Sequence, residues 1–285
     1  MAIIPASSTE LSVRSRWTGR IEISWMCFVA VGVVAAIVLA APTIIVLIDS
    51  FNAASYMTFP PQAYSLRWYT AVLEDGALLR STQLSIAIAA LVAAIDLALG
   101  IPAALALARG NFKGRQALMA FVLSPLMIPQ IVIGYALLIY FSRSGVPLGI
   151  GALVLGHIVV SAPYIVRIVG GGAARLDRTL EEAAVNLGAA PWMVFWRVTL
   201  PALLPAIAAG TAFAFLASFD NLEASVFLAV GHIQTLPVKL FSLLMFDTNP
   251  IVGAVATLEI GLALVLFVAI ERLFGLWQLG SISTR

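Results

Sequence analysis

Long apolar segments alternate with short polar gaps along this chain. Six segments are long enough to cross a bilayer, since a spanning helix needs about 20 mostly apolar residues. They are residues 25–48, 84–108, 117–141, 150–169, 202–219 and 251–270. None alternates apolar and polar residues with the period of two that a transmembrane strand requires. The pattern predicts an all-α integral membrane protein with six transmembrane helices.

The composition supports the bilayer as the solvent of this chain. Of its 285 residues, 61% are hydrophobic and 11% are charged, whereas soluble domains average about 25% charged residues. The net charge of +2 is too small to indicate a nucleic-acid partner. Cys27 is the only cysteine, so we expect no intrachain disulfide and a buried structural thiol. With His157 and His232 as the only histidines, a histidine metal site is not expected.

Basic residues between the apolar segments indicate the orientation, because Lys and Arg are enriched in cytoplasmic loops. They cluster before the first segment, between the second and third, between the fourth and fifth, and after the sixth. Both termini are therefore expected in the cytoplasm. The predicted organisation is a cytoplasmic tail at 1–24, a first transmembrane helix at 25–48, an outward loop at 49–80, a transmembrane core at 81–272 and a cytoplasmic tail at 273–285.

One polar gap, at 177–201, carries the strongest local helix signals. Thr179 and Glu182 have the three-residue spacing of a capping box, in which the hydroxyl accepts from a backbone N–H group and the carboxylate reaches back. Glu181 and Glu182 would lie in the first turn, where the helix dipole favours anions. Ala183 and Ala184 keep one surface thin, so another backbone could approach closely. The segment predicts a short helix on the cytoplasmic side.

Glycine and proline mark the end of this short helix. Gly188 can take the left-handed conformation that terminates a helix, and Pro191 suits the first turn of the next one. The glycines at 170–172 are expected to let the chain bend between the fourth span and this helix. From the residues alone, the segment is either a docking element for another protein or an amphipathic connector that lies on the membrane.

Ionisable side chains in or beside the spans are candidates for a transport path, since such charges are costly and tend to face partners or water-filled cavities. Asp220 and Glu223 would share one face of a continuous helix, and Asn221 adds an amide beside them. These groups could replace part of the hydration shell of an organic cation. They could equally mark a helix end that emerges into water.

Further candidates lie deeper in the predicted spans. Asp96 and Glu259 are near the middle of the second and sixth spans. Each could line a path, pair with a partner subunit, or remain protonated. Tyr164 could face the path, and the preceding Pro163 is expected to kink the fourth span. His157 is interpreted as a packed, hydrogen-bonded histidine.

Motifs for covalent chemistry are absent from the sequence. The chain has no Gly-x-x-x-x-Gly-Lys-Ser/Thr loop, so it is not expected to bind ATP. A membrane-embedded enzyme that uses Asp96, Glu259 or Asp220 as acid and base remains an alternative, although the acids are scattered. A channel or scaffold is a second alternative, and neither would need a short docking helix.

The segment at 177–201 resembles the EAA motif of permease subunits of bacterial ATP-binding-cassette importers of the type I fold. Glu182-Ala183-Ala184 is followed by Gly188 and then by Val198-Thr199-Leu200-Pro201 at the family's spacing, with valine in place of isoleucine. The resemblance implies a coupling helix that sits in a groove of a cytoplasmic ATPase. Its coupling residues would be Glu181, Glu182, Ala183, Ala184, Gly188 and Pro191.

Other stretches resemble the spermidine/putrescine-type branch, in particular its second permease subunit. They are residues 65–69, 100–106, 124–129, 218–221 and 236–240. Where this branch has a pair of acids, the chain has Asp220 followed by Asn221, a departure that bears on recognition of a dicationic substrate.

The resemblance implies a set of partners and a mechanism. A homologous second permease would share the path, two cytoplasmic ATPases would bind ATP and Mg²⁺, and a periplasmic solute-binding protein would deliver the substrate. The permease would hold no cofactor and catalyse no reaction, and would work by alternating access in a bacterial inner membrane. A polyamine is the favoured substrate, and an opine, an amino-acid derivative or another small organic ion is the alternative.

Overall fold

The computed structural model describes residues 8–274 apart from 57, 232 and 247–249, and it describes side chains from residue 25 onward. His232 and the parts of the predicted tails at 1–7 and 275–285 lie outside the described residues.

Helices make up most of the described chain, and the expected all-α class is confirmed. Asn52 and Tyr64 form one isolated bridge, and the described residues contain no strand. The helices are α1 Ser8–Asp49, α2 Arg67–Glu74, α3 Gly76–Arg109, α4 Arg115–Leu123, α5 Gln130–Ser144, α6 Ile150–Arg175, α7 Thr179–Asn186, α8 Pro191–Val194, α9 Leu200–Phe219, α10 Leu222–Leu228, α11 Leu236–Phe246 and α12 Ile251–Phe274.

Five stretches of the described residues are single helices long and apolar enough to cross a bilayer: Trp25–Asp49, Gly76–Arg109, Ile150–Arg175, Pro191–Phe219 and Ile251–Phe274. The third predicted span, at 117–141, differs, because α4 and α5 meet there at an angle of 101°. Pro125 and Pro129 interrupt the backbone hydrogen bonds between the two helices. The third predicted span is therefore interrupted at these prolines, and the described residues contain six spans only when the bent pair is one span.

The interior is built by α3, α6 and α9, which pack against one another. Glycines let the helices approach closely: a Cβ atom at Gly100 would lie 2.5 Å from Ile165, and one at Gly172 would lie 2.8 Å from Ala206. Gly172 thus serves helix packing, and α6 continues through the glycines at 170–172 to Arg175. The expected bend at these glycines is wrong, because α6 continues through them. α6 also contains Pro163 without a break, and the kink expected there stays a prediction.

The fifth span begins irregularly. α8 and α9 are joined by a π-helical turn, Phe195–Thr199, so one helix runs without a break over Pro191–Phe219. Pro201 has no backbone N–H group, and a wider turn just before it accommodates the missing hydrogen bond. This turn places the side chain of Thr199 in the interior, where it is 5% exposed.

The first span lies largely outside the packed helices. None of the hydrophobic stretch at Trp25–Asp49 is buried within the chain. Cys27 is exposed, so the expectation of a buried thiol is wrong for the chain by itself.

Candidate functional site

Asp177 lies one residue before the N-cap position of α7, which is Arg178. The backbone N–H group of Thr179 donates to Oδ1 of Asp177 at 2.9 Å, and this hydrogen bond, followed by one from the Thr179 side chain, lowers the pKa of Asp177. Thr179 is the first helical residue and not the cap. The expected capping box between Thr179 and Glu182 is therefore wrong, because an aspartate two residues earlier supplies the acceptor.

The end of α7 follows the glycine signal. Gly188 has a φ of 86°, and its N–H group donates to the Val185 carbonyl at 2.8 Å. The next N–H group, of Ala189, donates to the Ala184 carbonyl at 3.0 Å. Pro191 then occupies the first turn of α8. The left-handed glycine and the proline at the next helix start are both confirmed.

Most of α7 faces away from the rest of the chain, and the helix has no buried residue. Leu187, just after its end, is 89% exposed, and Trp192 and Trp196 nearby are 67% and 60% exposed. The exposed residues in and next to α7 include Leu180, Glu182, Ala183, Val185 and Leu187. Such an apolar surface with one carboxylate is suited to contact with another protein.

Glu181 points the opposite way, toward the ends of the spans. Nη1 of Arg109 donates to both carboxylate oxygens of Glu181, at 2.7 and 2.9 Å, and the Thr199 hydroxyl donates to Oε1 at 2.5 Å. Partial burial raises the pKa of Glu181, but the hydrogen bonds from Thr199 and Arg109 and the charge of Arg109 outweigh it, so the pKa lies below its ordinary value. Adjacent glutamates therefore have different surroundings.

Arg109 and Thr199 were not among the candidates chosen from the sequence. Arg109 ends α3, and its Nε also donates to the Ala173 carbonyl in the last turn of α6 at 3.3 Å. The available signal was a basic residue at the end of one span and a hydroxyl at the start of another. Neither indicates by itself that the two meet at Glu181.

A second candidate region is a cavity of about 440 Å³ between α1, α9 and α12. Asp220 and Glu259 both line it, Thr43 is its other polar residue, and the remaining walls are apolar with no basic side chain. Oε1 of Glu259 is buried without a hydrogen-bond partner among the described residues. The cavity thus brings together two of the acids selected from the sequence.

The other two candidates near Asp220 lie apart from that cavity. α9 ends at Phe219 and α10 begins at Leu222, so Asp220 and Glu223 do not share a continuous helix, and the expectation of one common face is wrong. Asn221 is 2% exposed. Its Oδ1 accepts from the N–H group of residue 224 at 2.9 Å, and its Nδ2 donates to Gln130 at 2.9 Å. Asn221 therefore caps α10.

Asp96 lies in the bundle interior and is 0% exposed. The Ser161 hydroxyl lies 2.5 Å from Oδ2 of Asp96 and 2.7 Å from the His157 carbonyl. One hydroxyl has a single hydrogen for these two acceptors, so both contacts are satisfied when the Asp96 carboxyl carries a hydrogen. Asp96 is buried in the bundle and does not line the cavity of Asp220 and Glu259. This location favours the alternative in which Asp96 remains protonated over the one in which it lines a path.

His157 continues this buried hydrogen-bonded chain. Its Nδ1 lies 2.8 Å from the hydroxyl of Ser218, and its Nε2 lies 3.0 Å from the hydroxyl of Ser225. The expected packed and hydrogen-bonded histidine is confirmed. In contrast, Tyr164 stacks on Phe213 with ring centroids 6.3 Å apart and does not line the cavity of Asp220 and Glu259.

The described residues thus form a bundle of apolar helices, with a cavity between spans that is lined by two carboxyl groups and an exposed short helix beside the bundle. Residues 96–277 match the family of binding-protein-dependent transport system inner membrane components. The match covers more than half of the chain, so the chain belongs to this family.

Two permeases of Escherichia coli K12 are similar along most of their length. The putrescine transport system permease protein PotI is 36% identical over 230 residues, which are 78% of this chain and 82% of PotI. The spermidine/putrescine transport system permease protein PotC is 31% identical over 228 residues, 80% of this chain and 86% of PotC.

A solved structure shows the same fold. A chain of a bacterial alginate ABC transporter, in complex with an alginate pentasaccharide-bound periplasmic protein, superposes with a TM-score of 0.66 over 90% of this chain and 96% of that chain, at 16% identity. The expected type I importer permease fold is confirmed. The chain is a multi-pass permease subunit of an ATP-driven importer, and the family assigns it a transport role without catalysis.

Proposed function

We propose that this permease moves a polyamine or a similar small organic cation across the inner membrane. The relatives PotI and PotC belong to putrescine and spermidine/putrescine systems. By the same similarity, the chain would work with a second permease, two cytoplasmic ATPases that bind ATP and Mg²⁺, and a periplasmic solute-binding protein. Both termini and α7 would lie on the cytoplasmic side, as the basic loops indicate.

The charge of the cavity between α1, α9 and α12 is the observation that supports a cationic substrate. Asp220 and Glu259 supply two carboxyl groups, and no lining residue is basic. An ammonium group can exchange its water shell for carboxylate oxygens, whereas an opine brings carboxylates of its own that these acids would repel. The cavity therefore favours a polyamine over the anionic alternatives.

The coupling step is assigned to α7. Its exposed surface at Glu182, Ala183 and Leu187 would contact the ATPase, and closure of the ATPases on ATP would displace α7. Because Gly188 and Pro191 set the direction of the chain after α7, that displacement would reach the fifth span. The path then opens alternately to the two sides of the membrane.

Uptake by the complete transporter in proteoliposomes tests the substrate assignment. In Asp220→Asn and Glu259→Gln variants, we expect uptake of labelled putrescine to fall about tenfold or more, since a hydrogen bond to a charged group contributes about 1.5–3 kcal/mol. Thr43→Val, which alters the same cavity without removing a charge, is the matched control and should retain uptake. Normal putrescine uptake in the double variant, or uptake of an anionic solute, would contradict the proposal.

A further inference from the structure

Glu181, Arg109 and Thr199 form a connection between α7 and the spans, which we call the α7 junction. The side chains of Arg109 and Glu181 are each 18% exposed. One nitrogen of Arg109 bridges the two carboxylate oxygens, and the Thr199 hydroxyl shares one of those oxygens. The carboxylate is therefore held from two directions, by α3 and by the turn that opens α9.

Four elements meet at this point. Arg109 is the last residue of α3, and it also donates to a carbonyl in the last turn of α6. Glu181 lies in α7, and Thr199 is buried at the end of the π-helical turn before α9. α3, α6 and α9 form the packed interior. The Glu181 carboxylate reaches α3 and α6 through Arg109, and the start of α9 through Thr199.

α7 has few other connections to that bundle. It contains no buried residue, and its neighbouring elements are α8 and the π-helical turn. Among the described residues, Glu181 is the one α7 side chain with an ion pair or side-chain hydrogen bond to a span. A displacement of α7 is therefore conveyed through the chain on either side of it, residues 176–178 toward α6 and Gly188 toward α8, and through Glu181.

We propose that Glu181 is the positioning residue that passes movement of α7 to α3, α6 and α9 together, with Arg109 and Thr199 as its partners. This role rests on the proposed contact of α7 with an ATPase. The two adjacent glutamates then have different roles, since Glu182 faces the ATPase and Glu181 holds α7 to the spans. Without the junction, α7 would move with the ATPase while the spans follow only through the two backbone connections of α7, residues 176–178 and the chain from Gly188 to α8.

The test compares ATP hydrolysis with substrate uptake in the complete reconstituted transporter. Glu181→Gln and Arg109→Gln should keep hydrolysis but lower uptake per ATP at least about fivefold, the low end of coupling between sites. Arg115→Gln is the matched control: Arg115 also binds the end of α3, through the Leu107 and Ala108 carbonyls, but has no bond to α7. It should leave uptake per ATP unchanged.

A charge exchange makes the test specific. The double variant Arg109→Glu with Glu181→Arg should recover part of the uptake per ATP, because it restores an ion pair between α3 and α7. A loss of folded transporter would instead lower hydrolysis and uptake together and leave uptake per ATP unchanged. Unchanged uptake per ATP in both single variants, or equal losses in the Arg115→Gln control, would overturn the proposal.

The proposed ATPase contact is checked separately. In a Cys27→Ser background, Leu187→Cys should crosslink to the ATPase both with Glu181 and with the Glu181→Gln variant. Crosslinking together with unchanged uptake per ATP in the Glu181→Gln variant would refute the junction alone. Absence of crosslinking in both would refute the contact of α7 with an ATPase and, with it, the role of Glu181.

Discussion

α3, α6 and α9 are linked at two places, and the links differ in chemistry. At the α7 junction an ion pair between Arg109 and Glu181 is 2.7 Å long and partly exposed. In the interior, Asp96 of α3, Ser161 and His157 of α6, and Ser218 of α9 form a hydrogen-bonded chain whose side chains are 0–3% exposed. The first link includes α7, which lies outside the bundle, whereas the second is buried and extends through His157 to Ser225 in α10.

The two links are expected to control different properties: the interior chain the stability of the permease, and the α7 junction the transmission of movement. A buried polar group without a partner costs about 1–3 kcal/mol, so the interior chain holds the helices in one arrangement. A partly exposed ion pair contributes about 0–1 kcal/mol, and it can be displaced at little cost in stability. We therefore expect the interior chain to govern whether the permease folds, and the α7 junction to govern whether movement of α7 reaches the spans.

The largest effect is expected for His157→Leu, which tests whether the interior chain governs stability. This change leaves the hydroxyls of Ser218 and Ser225 without their partner, a loss of about 2–6 kcal/mol in total. The melting temperature of the assembled transporter in detergent should fall by at least about 4 °C, with hydrolysis and uptake decreasing together. His157→Gln keeps a donor and an acceptor and should lower the melting temperature less. An unchanged melting temperature with lost coupling would invert the roles assigned to the two links.

A smaller loss of stability is expected at Gly172, where α6 meets α9. In Gly172→Ala the new Cβ would lie 2.8 Å from Ala206, and such overpacking costs about 1–3 kcal/mol. Gly171→Ala is the matched control, since nothing lies within 4 Å of its Cβ position. Its melting temperature should equal or exceed the wild-type value. Equal melting temperatures for both variants would show that the close approach of α6 and α9 does not limit stability.

Local signals predicted the regular part of this structure, because they depend on neighbours in the chain. Apolar segments indicated the helices, Gly188 indicated the left-handed end of α7, and Pro191 indicated the start of α8. The bend expected at residues 170–172 is wrong, since α6 continues through them and Gly172 is a site of close packing against α9.

The two links could not be predicted, because each joins residues far apart in sequence. Arg109 and Glu181 are separated by 72 positions, and His157 and Ser225 by 68. Glu181 and Glu182 are also chemically identical neighbours, so only helix orientation distinguishes the one that faces the spans. Orientation depends on where α7 packs, which a single sequence does not specify.

Gly188 offers a variant that weakens the junction without touching its ion pair. At a φ of 86°, the Cβ of Gly188→Ala would cost about 1–2 kcal/mol in the left-handed conformation. We expect a shift of α7 that lowers uptake per ATP about fivefold, with little change in melting temperature. Gly114→Ala has a similar φ of 87° but lies in the loop before α4, and it should leave uptake per ATP intact. Equal losses in both variants would count against a specific role of α7.

The pH dependence of coupling gives the smallest expected effect. Because the pKa of Glu181 is lowered in the folded protein, the stabilisation by its ion pair is fully present above the ordinary glutamate pKa of about 4.3. That stabilisation is lost only as pH falls through the lowered value. Uptake per ATP should therefore stay level between about pH 8 and about pH 5, and the Glu181→Gln variant should give a lower but parallel line. The opposite outcome is a decline of wild-type uptake per ATP that begins near neutral pH and is missing in Glu181→Gln. It would mean that the Glu181 carboxylate takes up a proton during transport. The α7 junction would then be a titrating switch instead of a permanent ion pair.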